Sequence, residues 1–294
     1  MSSSQLRPLR EDDADAVAAL FVEAWGEARR MNGDEIREWF NNQALSPENL
    51  LVLEHEGRVV GYFDVWIEDD VADVDVAAPG FWDEVFDHAE NRARALGAKR
   101  VRSFVVEEHP VGDLVTGRGY RTIRGSWTME IEFGVEVPAE PVLPDGIEIR
   151  RYHHPEDEQR VYEATQEAFL DHWDFHPVTI ENWREFNVKT RNFEPDLWLV
   201  AWDGDQVAGA SLNYPERGGD PGHGWVGTLG VRREWRRRGL GEALLRRSFA
   251  ALHARGLRKV RLGVDAENPT GATRLYERAG MHVVRRSNTW ERHL

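Results

Sequence analysis

Two segments of this 294-residue chain recur in its second half, in the same order and at nearly the same distance. Residues 95–102 match residues 254–261 at an offset of 159, and residues 119–124 match residues 280–285 at an offset of 161. A repeat of this length predicts two copies of one structural plan. The chain length also favours two domains of about 150 residues each. We therefore predict two tandem domains that share one fold.

A proline-rich stretch separates the two copies. It carries Pro138, Pro141 and Pro144, a composition typical of linkers. The predicted boundaries are 1–137 for the first domain, 138–146 for the linker and 147–294 for the second domain.

The two halves differ strongly in charge. Residues 1–145 hold 14 Lys and Arg against 30 Asp and Glu, whereas residues 146–294 hold 23 against 22. A polyphosphate is repelled by the first half and accommodated by the second. We therefore expect one competent nucleotide site, in the second half.

An arginine-rich turn in the second half has the features of an anion site. Residues 229–241 have the pattern of a strand that enters a turn and then a helix. Gly239 and Gly241 lack a Cβ, so an anion can approach the backbone N–H groups there and at the start of the helix. The turn carries five arginines and the helix an apolar stripe: Arg232, Arg233, Arg236, Arg237 and Arg238, then Leu240, Leu244, Leu245, Phe249 and Leu252. A solvated arginine-rich loop remains the alternative, because a lone Gly-x-Gly is weak evidence.

A second segment follows about thirty residues later. Val260, Leu262 and Val264 alternate as in a strand, Asn268-Pro269 marks a turn and helix start, and Gly280 stands where a helix ends. Tyr276 is therefore predicted on a short helix directly after that strand.

These two segments resemble the GNAT acetyltransferase superfamily. Its phosphate signature is Gln or Arg, two residues, Gly, any residue, then Gly or Ala, and residues 236–241 match every position. The second family motif is matched by Asn268, Ala272, Leu275, Tyr276 and Gly280. The resemblance implies an α/β fold of the α+β type with a mixed sheet, in two tandem GNAT domains, and acetyl-CoA as cosubstrate. The cofactor-binding residues that it implies are Leu229, Val231, Arg236, Arg237, Arg238, Gly239, Leu240, Gly241, Asn268 and Ala272.

The first copy lacks this chemistry. The segment matching the arginine turn, residues 71–80, is acidic and has no Gly-x-Gly, and Val115 stands where the second copy has Tyr276. Carboxylates facing a diphosphate are unfavourable. We predict that residues 1–137 form a degenerate GNAT domain that is structural or shapes the acceptor pocket, or else binds a ligand without phosphate.

The resemblance implies that Tyr276 faces the sulfur and protonates the leaving thiolate. Phenol and thiol pKa values lie within about two units of each other, which suits this transfer. The alternative is a core tyrosine with its hydroxyl at the surface. In a tandem-repeat branch of the family a Glu on the strand before the turn is the general base, but the matching residue here is Trp225, whose indole cannot accept a proton. The base candidates are then His223, Glu167, Asp171, His172 and ordered water.

Acceptor recognition is expected in residues 163–177, with Trp225 across from them. Carboxylates and aromatic faces suit a cationic amine. The candidate substrate-binding residues are Glu167, Asp171, Trp173 and Trp225. Asp171, His172, Asp174 and His176 have the composition of a metal site, but their spacing fits no common motif, so we expect no metal.

Composition excludes several other classes of protein. The chain has no Cys, and therefore no disulfide or thiolate chemistry. Its pI near 5.2 and its lack of a nucleic-acid motif disfavour nucleic acid as a partner. No apolar stretch approaches a membrane span. We therefore expect a cytoplasmic N-acetyltransferase, monomer or homodimer, that acts on a small-molecule amine at one active site in the second domain. Because no base is obvious, a non-catalytic acetyl-CoA sensor or interaction module is the alternative.

Overall fold

The computed structural model describes residues 4–134, 142–217 and 222–294, so part of the predicted linker lies outside the described residues. The chain divides into two compact units. Unit 1 comprises Met1–Ser126 and Arg285–Leu294, and unit 2 comprises Trp127–Val284. The C-terminal ten residues thus belong with unit 1. The sequence-based boundaries at 137 and 147 stay a prediction.

Both units contain the same succession of elements. In the first half these are β1 (Gln5–Pro8), α1 (Ala14–Trp25), α2 (Gly33–Asn41), β2 (Leu50–His55), β3 (Arg58–Glu68), β4 (Val71–Ala77), α3 (Trp82–Ala95), β5 (Arg100–Val106), α4 (Val111–Gly117) and β6 (Arg121–Glu132). In the second half they are β7 (Ile147–Arg151), α5 (Glu158–Phe169), α6 (Ile180–Asn187), β8 (Leu199–Asp203), β9 (Gln206–Tyr214), β10 (His223–Val231), α7 (Leu240–Ala254), β11 (Lys259–Asp265), α8 (Ala272–Arg278) and β12 (His282–His293). The order is identical, as the repeat predicts.

Each unit has a mixed sheet with one parallel pair. In unit 1, β1 to β4 are antiparallel neighbours, β4 and β5 are parallel, and β5 pairs antiparallel with β12. In unit 2, β7 to β10 are antiparallel neighbours, β10 and β11 are parallel, and β6 lies next to β11. The predicted mixed α/β fold is therefore confirmed.

Helix α7 fixes the position of the arginine turn in unit 2. All five residues of its predicted apolar stripe are at most 1% exposed. Burying a Leu or Phe side chain contributes about 1.5–3 kcal/mol, so this stripe anchors the helix firmly. Its N-terminus consequently has a defined place beside the end of β10.

Candidate active site

Strands β10 and β11 separate partway along their length. They pair from His223 and Lys259 to Val226 and Leu262, and the pairing ends there although both strands continue. The register between β9 and β10 shifts between Val226 and Thr228, which makes Gly227 a β-bulge. Bulges bend a strand away from its partner. The bulge thus accounts for a cleft between the carboxyl ends of β10 and β11.

Three glycines, Gly227, Gly230 and Gly263, leave backbone exposed in this cleft or let the residues beneath it pack closely. Gly227 and Gly263 are exposed although both lie within strands of the sheet. A Cβ on Gly227 would come within 2.6 Å of the Tyr214 ring. A Cβ on Gly230 would lie 2.9 Å from Ala168, so α5 packs directly on the end of β10. Backbone is therefore accessible where β10 and β11 no longer pair with each other.

The arginine turn lies at the end of β10 and opens onto the N-terminus of α7. Gly239 has φ +84° and Arg237 has φ +60°, both in the left-handed region. A Cβ on Gly241 would come within 3.3 Å of Leu275, so this glycine allows α7 and α8 to pack closely. The first N–H groups of the 15-residue helix α7 point out of its N-terminus, as an anion requires. The turn thus brings backbone N–H groups and a helix N-terminus together, as the sequence pattern predicts.

The five arginines divide into two groups. Arg232 bonds Glu167, and Arg233 and Arg236 both bond Asp171. Arg237 and Arg238 are exposed beside Gly239. The first group ties the turn to the end of α5. In the second group, Arg238 donates to the carbonyl of Asp145 at 3.4 Å.

Arg236 mainly holds the turn against the ends of β10 and α5. Its Nε donates to the carbonyl of Val231 at 3.0 Å, and its Nη2 donates to the carbonyl of Ala168 at 3.0 Å. Sequence reasoning grouped it with Arg237 and Arg238. The structure instead joins it to the end of β10 and to α5.

Two predicted acceptor residues are engaged by these arginines. Glu167 accepts from Arg232 at 2.6 Å, and Asp171 accepts from Arg236 at 2.6 Å. The hydrogen bonds from Arg236 and then Arg233 lower the pKa of the Asp171 carboxyl. Asp171 is therefore a weak base, and the Glu167 carboxylate is paired with an arginine.

Tyr276 lies on α8 in the hydrophobic core beneath the cleft. It is 8% exposed and belongs to the cluster that contains Leu262, Val264 and, at its margin, Leu229. Burial raises the pKa of Tyr276 to about 12. Among the described residues no protein group bonds its hydroxyl. The phenol therefore keeps its proton at neutral pH and is free to donate it.

Asn268 and Ala272 lie before and at the start of this helix. The Asn268 side chain accepts from the backbone N–H of Thr270 at 2.8 Å, so it shapes the turn after β11. Helix α8 begins at Ala272 with Gly271 as its N-cap. The expected helix start at Asn268 is wrong, because that side chain closes a turn within the loop. Gly280, at φ +98°, follows the end of α8 as predicted.

The histidine candidates occupy different places. Burial lowers the pKa of the His172 imidazole, which lies near Asp265 at the end of β11. Its ring stacks on Phe169 with 4.3 Å between centroids. His223 lies at the start of β10, 3.3 Å from Glu130. Four residues of strand, about 13 Å, separate His223 from Gly227. His172 is thus the nearer histidine to the cleft.

The acceptor side of the cleft is aromatic and charged. The indole of Trp225 reaches within 3.9 Å of where a Gly263 Cβ would lie, and Arg217 stacks on its ring at 5.3 Å. Beside it, Arg261 donates to Glu130 at 2.6 Å. Trp173 is 41% exposed. Sequence reasoning missed Glu130 and Arg261, because their pairing joins β6 to β11 and has no local signal.

Neither a metal-binding cluster nor a membrane-spanning helix is found in the described residues. Within residues 4–134, 142–217 and 222–294, no group of three or more His, Cys, Asp or Glu is arranged to hold a metal ion. Each helix in those ranges is too short or too polar to span a lipid bilayer.

Comparison with known proteins places this geometry in a family. The model of the acetyltransferase (GNAT) family matches residues 158–281. The mycothiol acetyltransferase of Geodermatophilus obscurus is 33% identical over 178 residues, which cover 58% of this chain and 57% of that protein. The chain thus spans less than two thirds of the length of that relative. The mycothiol acetyltransferase of Beutenbergia cavernae is 31% identical over 278 residues, which cover 85% of this chain and 90% of that protein.

Two solved structures extend the comparison to the whole fold. A GCN5-related N-acetyltransferase from Sphaerobacter thermophilus superposes with a TM-score of 0.77 and 30% identity, covering 99% of this chain and 95% of that one. A tandem GNAT protein from the clavulanic acid biosynthesis pathway superposes with a TM-score of 0.73 and 18% identity, covering 99% and 98%, and shows the shared fold. With nearly full coverage at about 30% identity, this chain belongs to the GNAT acetyltransferase family.

Proposed function

We propose that the protein is an acetyl-CoA-dependent N-acetyltransferase that acetylates a small-molecule amine at one active site in unit 2. The observation that carries this proposal is the cleft between β10 and β11, with exposed backbone at Gly227 and Gly263. It lies between the N-terminus of α7 and the buried Tyr276. A cytoplasmic location, where acetyl-CoA is available, belongs to the same proposal.

The cosubstrate would supply an activated acetyl thioester. The backbone N–H groups of residues 239–242, with Arg237 and Arg238, would hold its diphosphate. Leu229 and Val231 offer backbone groups along the edge of β10 that β11 leaves unpaired. Fixed N–H dipoles of this kind stabilise negative charge on a carbonyl oxygen. In this proposal the exposed arginines Arg237 and Arg238 bind one end of an extended ligand, and the strand edge that β11 leaves unpaired binds the other end.

Tyr276 is the proposed proton donor to the departing thiolate. Its pKa of about 12 keeps the hydroxyl protonated across the neutral range. Proton donation by a positioned side chain contributes about 10²- to 10⁴-fold in rate.

We propose His172 as the group that takes the proton from the attacking amine. Its lowered pKa keeps the imidazole neutral at pH 7, as a general base requires. Glu167 and Asp171 are held by arginines, and His223 lies 3.3 Å from Glu130 at the far end of the paired segment. Replacing His172 by Ala should lower turnover about 100-fold, whereas His223→Ala should leave turnover within about threefold.

The acceptor in this proposal is a cationic or partly apolar amine, and Trp225 and the exposed Trp173 are the aromatic residues proposed to contact it. The named activity of the relatives, mycothiol acetylation, is the first acceptor to examine. Trp225 replaces the Glu that we expect as base in the tandem branch, which favours another amine.

A thiol-release assay with acetyl-CoA and a panel of amines tests the proposal. The panel comprises the amine precursor of mycothiol, an amino sugar, an aminoglycoside, a polyamine, an amino acid and a peptide N-terminus. Saturable thiol release with at least one of these supports an enzyme. Tight binding of acetyl-CoA without thiol release on any amine supports the alternative, a non-catalytic sensor, which the arginine pairing of both acidic base candidates favours. Absence of acetyl-CoA binding would contradict both.

A further inference from the structure

Unit 1 contains a cavity of about 230 Å³ that the proposed acetyl transfer does not use. It lies on one face of β3, β4 and β5, and Thr289 of β12 and Arg29 complete its wall. All its lining residues belong to unit 1. It is therefore a feature of the degenerate domain itself.

The walls of this cavity combine acidic and basic side chains, with acidic ones in excess. The lining contains Asp64, Asp73 and Asp75 against Arg29 and Arg102. Both arginines already have carboxylate partners. Arg29 donates to Asp75 at 2.6 Å, and Arg102 donates to Glu291 at 2.8 Å. With Glu291 and its second partner Arg100 counted, four carboxylates face three guanidinium groups.

The surroundings of Asp64 destabilise the charged form of its carboxyl group. It lies directly across from Asp75 in the β3 and β4 register and accepts a hydrogen bond from the Tyr62 hydroxyl at 2.8 Å. Burial, and then the charge of Asp75, raise the pKa of Asp64 to about 7. A cation beside Asp64 would offset that repulsion.

Aromatic rings supply the apolar part of the cavity. Trp66 and Phe104 line it, and Arg29 stacks on Phe104 at 5.7 Å. An ammonium or guanidinium group with a short apolar body can contact carboxylates and ring faces together. The small volume suits a ligand below drug size.

The repeat relates this cavity to the acceptor side of unit 2. The pair Arg102 and Glu291 of unit 1 corresponds to Arg261 and Glu130 of unit 2, at the repeat offsets of 159 and 161. In unit 2 that pair lies beside Trp225 at the cleft. The two units thus have the same charged pair next to the place where an amine would lie.

We propose that the unit 1 cavity binds a small organic cation, a primary ammonium or guanidinium with a short apolar body, held by Asp64 and Asp73 against Trp66 and Phe104. This site is separate from the acetyl-transfer site and requires no acetyl-CoA. The degenerate domain therefore retains an amine-binding face without a phosphate-binding turn.

The test uses the full chain without acetyl-CoA and 2-phenylethylammonium as the probe, with 2-phenylethanol and 3-phenylpropionate as its neutral and anionic counterparts. Binding is measured by calorimetry and saturation-transfer NMR. We expect saturable binding of the cation, and binding at least about tenfold weaker for the two counterparts. Asp64→Asn should weaken cation binding by about tenfold or more, and Phe104→Leu should also weaken it.

Two controls locate the site. Glu23→Gln, at an exposed position of α1, should leave the affinity unchanged. Trp225→Ala removes the aromatic residue proposed to contact an amine in unit 2, and it distinguishes binding there from binding in the unit 1 cavity. The proposal is overturned if the cation does not saturate, if the alcohol binds equally well, or if Trp225→Ala removes binding. It is also overturned if Phe104→Leu, with its fold confirmed by circular dichroism, binds as tightly as the native chain. Thiol release is measured separately, so failure of the proposed function is distinguishable from failure here.

Discussion

The parallel strand pairs of the two units follow the same course but carry different residues where they separate. In unit 1, β4 and β5 pair through Val74 and Ser103, and in unit 2, β10 and β11 pair through Val226 and Leu262, after which each pair diverges. Beyond that point unit 2 has Gly227 and Gly263. The equivalent residues of unit 1 are Asp75 and Phe104.

These substitutions close the cleft in unit 1. Arg29 bonds Asp75 and stacks on Phe104, so these three side chains join the two strands and line the cavity described above instead of leaving exposed backbone. The pairing of β3 and β4 also runs from Glu68 to Tyr62 without the register shift found at Gly227. We therefore expect unit 1 not to bind acetyl-CoA, for a steric reason as well as an electrostatic one.

The turns that follow β4 and β10 also differ between the two units. Residues 78–81 connect β4 to α3, whereas residues 232–239 connect β10 to α7. Trp82, at the start of α3, stacks on Trp25 at 5.3 Å, and His109 stacks on Trp25 at 4.6 Å. Aromatic rings thus cover the region where unit 2 has exposed arginines. A shared fold does not by itself conserve a ligand site.

The largest effect is expected when the side chain of unit 1 is introduced into unit 2. Gly263→Phe should abolish acetyl-CoA binding and lower turnover by at least roughly 100-fold, because the ring would fill the cleft. Calorimetry with acetyl-CoA measures this. Gly263→Ala is the matched control, since its Cβ would lie 3.9 Å from Trp225, an ordinary contact, and should retain binding. Normal turnover in Gly263→Phe would refute the location of the cleft.

The next effect concerns the proton donor. Tyr276→Phe should lower kcat about 100-fold with little change in KM for acetyl-CoA, because only the hydroxyl is lost from a buried ring. Tyr62→Phe removes a hydroxyl from unit 1 and should leave kcat unchanged. Steady-state rates of thiol release, measured for both variants, test this prediction. An unaltered kcat in Tyr276→Phe would remove its assigned role.

A smaller effect is expected from the exposed arginines. Changing Arg237 and Arg238 together to Ala should raise KM for acetyl-CoA about tenfold, because charge-assisted contacts to a diphosphate are lost. Arg94→Ala, at an exposed position of α3 in unit 1, should leave KM as it is. If the double variant binds acetyl-CoA normally, the diphosphate lies elsewhere.

The smallest effect is a pH dependence in unit 1. Asp64 has a folded pKa of about 7 against an ordinary 3.8, so the native state binds the additional proton between these values. The protonated Asp64 therefore contributes to the free energy of unfolding at low pH, and this contribution is lost as the pH rises toward 7. Asp64→Asn should therefore raise Tm by roughly 3–5 °C at pH 8 and by much less at pH 4. Thermal melts across this range test it, and an equal change at both pH values would contradict the assignment.

The sequence predicted those parts of the molecule that depend on local patterns. The repeat, the buried stripe of α7 and Gly280 after α8 all follow from spacing along the chain, and the structure confirms them. The GNAT fold was predicted from residues 236–241 and the second motif, and the comparisons confirm it.

Long-range pairing could not be predicted in this way. Arg236 and Asp171 lie 65 residues apart, and no local spacing indicates that they bond. The bulge at Gly227 depends on register against β9, and the start of α8 depends on how Asn268 closes its turn. Similarly, the closure of unit 1 by Arg29 depends on a tertiary contact that the acidic composition of residues 71–80 does not reveal.

The stoichiometry of acetyl-CoA binding tests the central claim most directly. Calorimetry should give one equivalent per native chain and none for Gly263→Phe, because in the part of the chain that the structure describes an open cleft lies beside the arginine turn in unit 2. Two equivalents per native chain, or one equivalent retained by Gly263→Phe, would contradict the account.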